Sequence, residues 1–180
     1  MINPFSRIAG WKAFAIGLVV VVLSAVIGKY SLVCFDGTLD IHLAQKLTLG
    51  GALGMQLIST FILVLVMCIA GMIVSKGFRF VDILGTMTFA RVPLLITALI
   101  GFFVHMPDPN VIIANPLSLL LPSSILFALL TIVVVVWYIT LVVNAMKVSC
   151  DIKGGKLAVT IIIGLLVSEI ISKSLIYFVL

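Results

Sequence analysis

The sequence predicts an all-α integral membrane protein, a bundle of five transmembrane helices with a small extracytoplasmic hairpin or loop. Of its 180 residues, 63% are hydrophobic and only 9% are charged, whereas a soluble domain is nearer half apolar and a quarter charged. The mean hydropathy is +1.42, so too little polar surface remains to cover a water-soluble globule. Five apolar stretches also come close to the length of about 20 residues that a helix needs to cross a bilayer.

The five spans are predicted within a single domain, at 12–28, 52–74, 83–104, 122–146 and 157–180. The first span follows Arg7 and Lys12 as a signal peptide would, but no small-residue cleavage site comes after it. We therefore interpret it as a retained anchor. Pro122 suits the first turn of the fourth span, where its missing N–H removes no helical hydrogen bond.

The segment between the first two spans is too polar to cross a membrane. Two short alternating runs, Tyr30–Phe35 and Thr38–Leu43, flank the dipeptide Asp36-Gly37. Such a dipeptide favours a hairpin turn in which both central residues take positive φ. The pattern predicts a small hairpin on the membrane surface, with an irregular interfacial loop as the alternative.

The basic residues predict the orientation in the membrane. Seven lie before the first span, between the second and third, or between the fourth and fifth: Arg7, Lys12, Lys76, Arg79, Lys147, Lys153 and Lys156. The opposite side carries only Lys29 and Lys46. The positive-inside rule then places the N-terminus in the cytoplasm and, with five spans, the C-terminus outside a cell (inner) membrane.

The partners expected from this layout are the lipid bilayer and a protein that contacts the cytoplasmic loops 76–82 and 147–156. Nucleic acid is not expected, because no basic stripe with interleaved aromatic residues is present. The sequence does not indicate an oligomeric state.

Three ionisable residues are predicted inside the membrane: Arg91, Glu169 and Lys173. Such charges are expensive in hydrocarbon, so they usually pair or face a water-filled cavity. Glu169 and Lys173 share a helical face, and Arg91 and Glu169 lie at similar depth. The residues therefore favour a charge cluster that locks the third span to the fifth, with an ion or proton relay, or a snorkelling Arg91, as alternatives. Pro93 predicts a kink beside Arg91.

The predicted outer face concentrates imidazole and acidic groups. Asp40 and His42 share one face of the second run, and His105 and Asp108 lie in the loop after the third span. Together they predict a mixed carboxylate–imidazole site for a divalent metal. The alternative is that they keep the loops hydrated at the headgroups. No other cofactor is expected.

Enzyme signatures are absent from the sequence, which contains no GxSxG, HExxH, P-loop or GxGxxG motif. We therefore expect a non-enzymatic protein. The three cysteines, Cys34, Cys68 and Cys150, are scattered and form no CxxC pair. An odd, dispersed set is a poor disulfide framework, so we expect three free thiols.

Three segments resemble the Yip domain family, membrane proteins named for interaction with Ypt/Rab GTPases. The first segment is GFRFVDILGTMTFARVPLLI (77–96). It has glycine, aromatic and proline residues at the positions where the family has them, namely Gly77, Phe78, Phe80, Gly85 and Pro93. Residues 137–171 and NPFSRI at 3–8 are also similar, the latter to bacterial members. Arg91 departs from the family, which more often has a neutral residue there. The resemblance implies five spans and a membrane scaffold with a trafficking-like or membrane-organising role. The alternatives are a small transporter or channel subunit that uses Arg91, Glu169 and Lys173, and an extracytoplasmic metal-binding protein.

Overall fold

A computed structural model of the chain describes residues 4–75, 77, 79–104, 111, 113, 115 and 122–180. Within these residues the helices are α1 (Gly10–Ser31), α2 (Leu49–Val74), α3 (Phe80–Ala90), α4 (Leu94–Ile100), α5 (Pro122–Cys150) and α6 (Gly154–Val179). Short 3-10 turns cover Pro4–Ser6 and Gly101–Phe103. Five helical segments in the described part are long and apolar enough to cross a membrane, the third being Phe80–Phe103. The all-helical, five-segment prediction is confirmed at that level.

Most of the helices extend beyond the apolar stretches that predicted them. The first runs from Gly10 to Ser31 rather than over 12–28, the fourth reaches Cys150, and the fifth begins at Gly154. Hydrophobicity marks only the part of a helix that fits the hydrocarbon, and the backbone stays helical through the polar headgroup layer. At the N-terminus of α2, a side chain supplies a hydrogen-bond partner to a backbone amide, because the Thr48 hydroxyl accepts a hydrogen bond from the Gly51 amide at 3.0 Å.

The five segments run antiparallel in sequence order. The start of α3 lies against the start of α1, where Gly85 meets the carbonyl of Gly10. The end of α6 lies against the start of α2, because Gly54 meets Leu180. We call the end with Arg7, Lys12, Arg79, Lys147, Lys153 and Lys156 the basic end, and the end with residues 32–48, which the sequence predicts to face outward, the outer end.

The closest packing in the bundle joins α1 to α3. A methyl group added at Gly17 would lie 2.6 Å from the backbone nitrogen of Phe89, so the two helix backbones are nearly in contact. Small residues permit such an approach between membrane helices. This contact fixes α3, and with it the residue that follows, Arg91.

The inside of the bundle combines an apolar core with buried polar side chains, and its outside is apolar. Buried positions include polar side chains: Ser24, Gln56, Ser59, Thr86, Arg91, Thr97 and Ser168. Exposed positions include large apolar ones: Phe61, Ile73, Val133, Ile170 and Phe178. An apolar surface of this extent suits lipid rather than water, so the five apolar helices indicate a membrane location.

The connection between α1 and α2 forms a hairpin, but its turn differs from the prediction. Strands β1 (Val33–Cys34) and β2 (His42–Leu43) pair antiparallel, with Cys34 opposite His42. Positive φ is found at Leu32 but not at Asp36 or Gly37, so the predicted two-residue turn is wrong. Residues 35–41 form a longer loop instead, because α1 continues through Tyr30 and the loop is held by the side chains of α6.

Candidate functional site

The third membrane segment is divided at Arg91. α3 ends at Ala90, residues 91–93 form a turn, and α4 begins at Leu94. The backbone tightens to i→i+3 bonds, with the Val92 amide donating to the Phe89 carbonyl at 3.0 Å. Pro93 has no N–H to donate and clashes with the preceding turn of a regular helix. The sequence therefore interrupts the helix where it places its buried cation.

Arg91 lies in a polar interior site whose residues come from four segments. Its Nη2 donates a hydrogen bond to the Oε1 of Gln56 at 2.8 Å. The Nε2 of Gln56 donates to the hydroxyl of Ser24 at 2.7 Å. We call Ser24, Gln56, Arg91 and Tyr138 the interior site; the Tyr138 hydroxyl and the Glu169 carboxylate lie within electrostatic reach of the guanidinium.

The predicted ion pair between Arg91 and Glu169 is not among the ion pairs that the described residues form. The Glu169 carboxylate accepts the Leu39 amide at 2.7 Å and lies 3.8 Å from the Lys173 ammonium. Arg91 instead donates a hydrogen bond to the side-chain amide oxygen of Gln56. The prediction rested on similar depth along two helices, and depth alone does not say which face a side chain occupies. The three charges therefore belong to two separate sites.

The loop of residues 35–41 is anchored on α6. Besides the Leu39–Glu169 bond, the hydroxyls of Thr38 and Ser172 lie 3.4 Å apart. Gly37 lies directly against the Glu169 carboxylate, and a methyl group there would overlap it. These contacts hold the loop over the outer end of the bundle.

Acidic and imidazole groups converge at this outer end. Nδ1 of His42 lies 3.5 Å from a carboxylate oxygen of Asp36 and 3.7 Å from one of Asp40. Ligand atoms of all three residues lie within 4.8 Å of one another. Lys173 binds Asp40 directly. We call Asp36, Asp40, His42, Glu169 and Lys173 the outer cluster.

The predicted metal ligands are thus only partly covered by the structure. Asp40 and His42 come together, while His105 and Asp108 lie outside the described residues. Asp36, an acidic residue of the same loop that is not among the predicted ligands, joins the set because the longer loop brings its side chain toward His42. Any ion bound here would compete with Lys173 for the Asp40 carboxylate.

The environment of the outer cluster alters two protonation equilibria. Partial burial raises the pKa of the Asp40 carboxyl, but the hydrogen bond and charge of Lys173, with His42, outweigh it and bring the pKa below its usual value. Burial, with the charges of Asp36 and Asp40, raises the pKa of the Cys34 thiol to about 11. The carboxylate therefore stays charged and the thiol stays neutral at physiological pH. All three cysteines are free.

A polar cleft opens at the basic end. It has a volume of about 450 Å³ and is formed by two connections that are far apart in sequence; its lining residues are Val74, Ser75, Gly77, Cys150, Asp151, Ile152, Lys153 and Lys156. The Lys153 ammonium lies 3.7 Å from the Asp151 carboxylate, and both side chains are mostly exposed. We call this feature the basic cleft.

Sequence reasoning missed three members of the interior site. Gln56 is the only side-chain amide of the second predicted span, which is a usable signal because such a group needs a buried partner. Ser24 gives no signal, because a helical serine can donate to a carbonyl of its own helix, as it does to that of Val21 at 2.9 Å. Tyr138 carries no such signal, since tyrosine is common at membrane interfaces. No protein-family model, curated protein or solved structure matches this chain.

Proposed function

We propose that this chain is a non-enzymatic five-span membrane protein of the Yip type that acts as a membrane scaffold, binding a protein partner in the basic cleft. One observation carries the proposal: the two loops that the sequence marked as partner-binding meet in a single polar cleft. Separate loops that converge on one surface can recognise a partner together, which neither loop could do alone.

The charge of the basic cleft defines the chemistry of the partner. Lys153 and Lys156 line it, and Asp151 is its one acidic lining residue among those described. An acidic segment of a protein would complement this surface. The proposal assigns the cleft to the cytoplasm, because lysine and arginine collect on that side of membrane proteins.

The fold supports a scaffold in a second way. Its polar groups are used largely for holding the bundle together, as in the Gln56–Ser24 bond and the Glu169–Leu39 bond. Such internal bonds give a rigid frame with fixed ends. A rigid frame keeps the two loops of the basic cleft in register.

Photo-crosslinking in the native host tests this function. A photo-crosslinking residue placed at Gly77, where an added Cβ meets no atom within 4 Å, should capture one reproducible protein, and the same residue at Gln45, at the outer end, is the matched control. The double variant Lys153→Glu/Lys156→Glu should lose the capture, while Lys46→Glu should keep it. Capture that is equal at Gly77 and Gln45, or unchanged by the double variant, would reject the basic cleft as the binding site.

A second candidate function is divalent metal binding at the outer end. The observation that favours it is the convergence of Asp36, Asp40 and His42, a carboxylate–imidazole set that suits a borderline divalent ion. Titration calorimetry with zinc, manganese and nickel should then give heat that disappears in His42→Ala and is unchanged in Asp82→Asn, at the other end of the bundle. Heat that does not depend on His42 would remove this candidate.

A further inference from the structure

The interior site contains a cation whose donors are not all used. The Arg91 side chain is 1% exposed, and its Nε and Nη1 atoms have no hydrogen-bond partner among the described residues. The hydroxyl of Tyr138, which is fully buried, lacks a partner within the same part of the chain. Three polar atoms from two segments are therefore left open in one region of the bundle.

The charge of Arg91 is also uncompensated at contact distance. Its one described partner, Gln56, is a neutral amide, and a guanidinium does not lose its proton in proteins. The nearest identified acid, Glu169, is engaged by Leu39 and Lys173. An isolated buried charge carries a large desolvation cost even after relaxation.

Snorkelling cannot relieve this cost. Arg91 follows Phe80 by eleven positions, which is about 16 Å of a segment about 36 Å long at the helical rise. It therefore lies near the middle of the segment, and its side chain points into the bundle rather than along its surface. Water could complete the hydrogen bonds, but a neutral molecule would leave the charge uncompensated.

We propose that the interior site binds a small monovalent anion of halide size between the Arg91 guanidinium and the Tyr138 hydroxyl. Both groups donate hydrogen bonds, and donors to an anion are charge-assisted and short. Gln56 is a positioning residue, because it holds Nη2 and leaves Nε and Nη1 free for the anion. The interrupted helix places the guanidinium on the inner side of the bundle. This site is independent of the basic cleft, which lies at the end of the molecule.

Anion-dependent thermal unfolding of the detergent-solubilised full chain tests the site. Chloride and bromide should raise the Tm saturably relative to gluconate, which is too large, at constant ionic strength. Equilibrium dialysis with radioactive chloride should give one bound ion per chain. Tyr138→Phe should weaken binding about tenfold, as expected for the loss of about 1.4 kcal/mol, while Tyr177→Phe, on the exposed surface of α6, should not change it.

Arg91→Gln should abolish the chloride effect altogether. If that variant does not fold, Tyr138→Phe decides the question, because it removes a single oxygen atom and keeps the ring packing. A Tm that does not distinguish chloride from gluconate overturns the proposal, and so does an equal response in the wild type and Tyr138→Phe. Because the readout is ion binding, its failure leaves the partner-capture result at the basic cleft unaffected.

Discussion

Arg91 and Lys173 are both cations on membrane segments of one bundle, yet their charges are accommodated differently. Arg91 is fully buried and its described partner is the neutral Gln56. The Lys173 side chain is 43% exposed and lies beside two carboxylates, those of Asp40 and Glu169. Loops can supply acids where water reaches the bundle, whereas each acid brought into the interior carries its own desolvation cost. The buried cation therefore has a neutral polar partner, whereas the cation at the outer end forms ion pairs.

Removal of the Gln56 amide should have the largest effect. Gln56→Leu leaves the buried Arg91 without its hydrogen bond and Ser24 without its donor, so we expect a loss of about 3 kcal/mol in the free energy of unfolding. Unfolding by sodium dodecyl sulfate in mixed micelles measures it. Leu57→Ala, at the adjacent lipid-facing position, should lose under about 1 kcal/mol. Equal losses in the two variants would show that Arg91 does not depend on Gln56.

A substitution at the close approach of α1 and α3 should have the second-largest effect on stability. Gly17→Ala places a methyl group against the Phe89 backbone, and overpacking of this kind costs about 1–3 kcal/mol. Gly50→Ala is the matched control, because no atom lies within 4 Å of its added methyl group. The same micelle unfolding assay should show a loss for Gly17→Ala and none for Gly50→Ala. An unchanged Gly17→Ala protein would mean that the helices are farther apart than described.

At the outer end we expect a smaller change. Lys173→Met removes the partner of Asp40 and Glu169, but the pair is partly exposed, so the loss should be about 0.5 kcal/mol. The loss should shrink in 1 M salt, because salt screens exposed charges. Unfolding at low and high salt, with wild type alongside, measures it. A loss near that of Gln56→Leu would contradict the distinction between interior and outer end.

The pH dependence should be the smallest effect. The pKa of Asp40 is lower in the folded protein than its usual value, so its stabilisation is present above about pH 4 and is lost as the pH falls below that value. In a metal-free buffer, wild type should lose more stability than Asp40→Asn between pH 5 and pH 3. The difference should stay below about 0.5 kcal/mol. Identical pH profiles would show that Asp40 contributes no charge interaction.

Local features of the sequence were enough to predict the five apolar helical segments and the interruption at Pro93. Span length and a missing N–H are local properties, so they can be read without knowing which helices touch. The same locality explains why Gln56, the only side-chain amide of the second span, could have been identified from the sequence. Helix ends were less well determined, because hydrophobicity stops at the headgroups while the backbone hydrogen bonds continue.

Which groups meet depends on the packing of the helices. Arg91 and Glu169 are predicted at similar depth, but the packing of their segments directs the guanidinium to Gln56 and the carboxylate to Leu39 and Lys173. In the same way, the anchoring of residues 35–41 on α6 replaced the predicted turn and brought Asp36 to His42. The physical reason is that depth along one helix is a property of the chain, whereas the choice of partner depends on the faces that several helices present to each other.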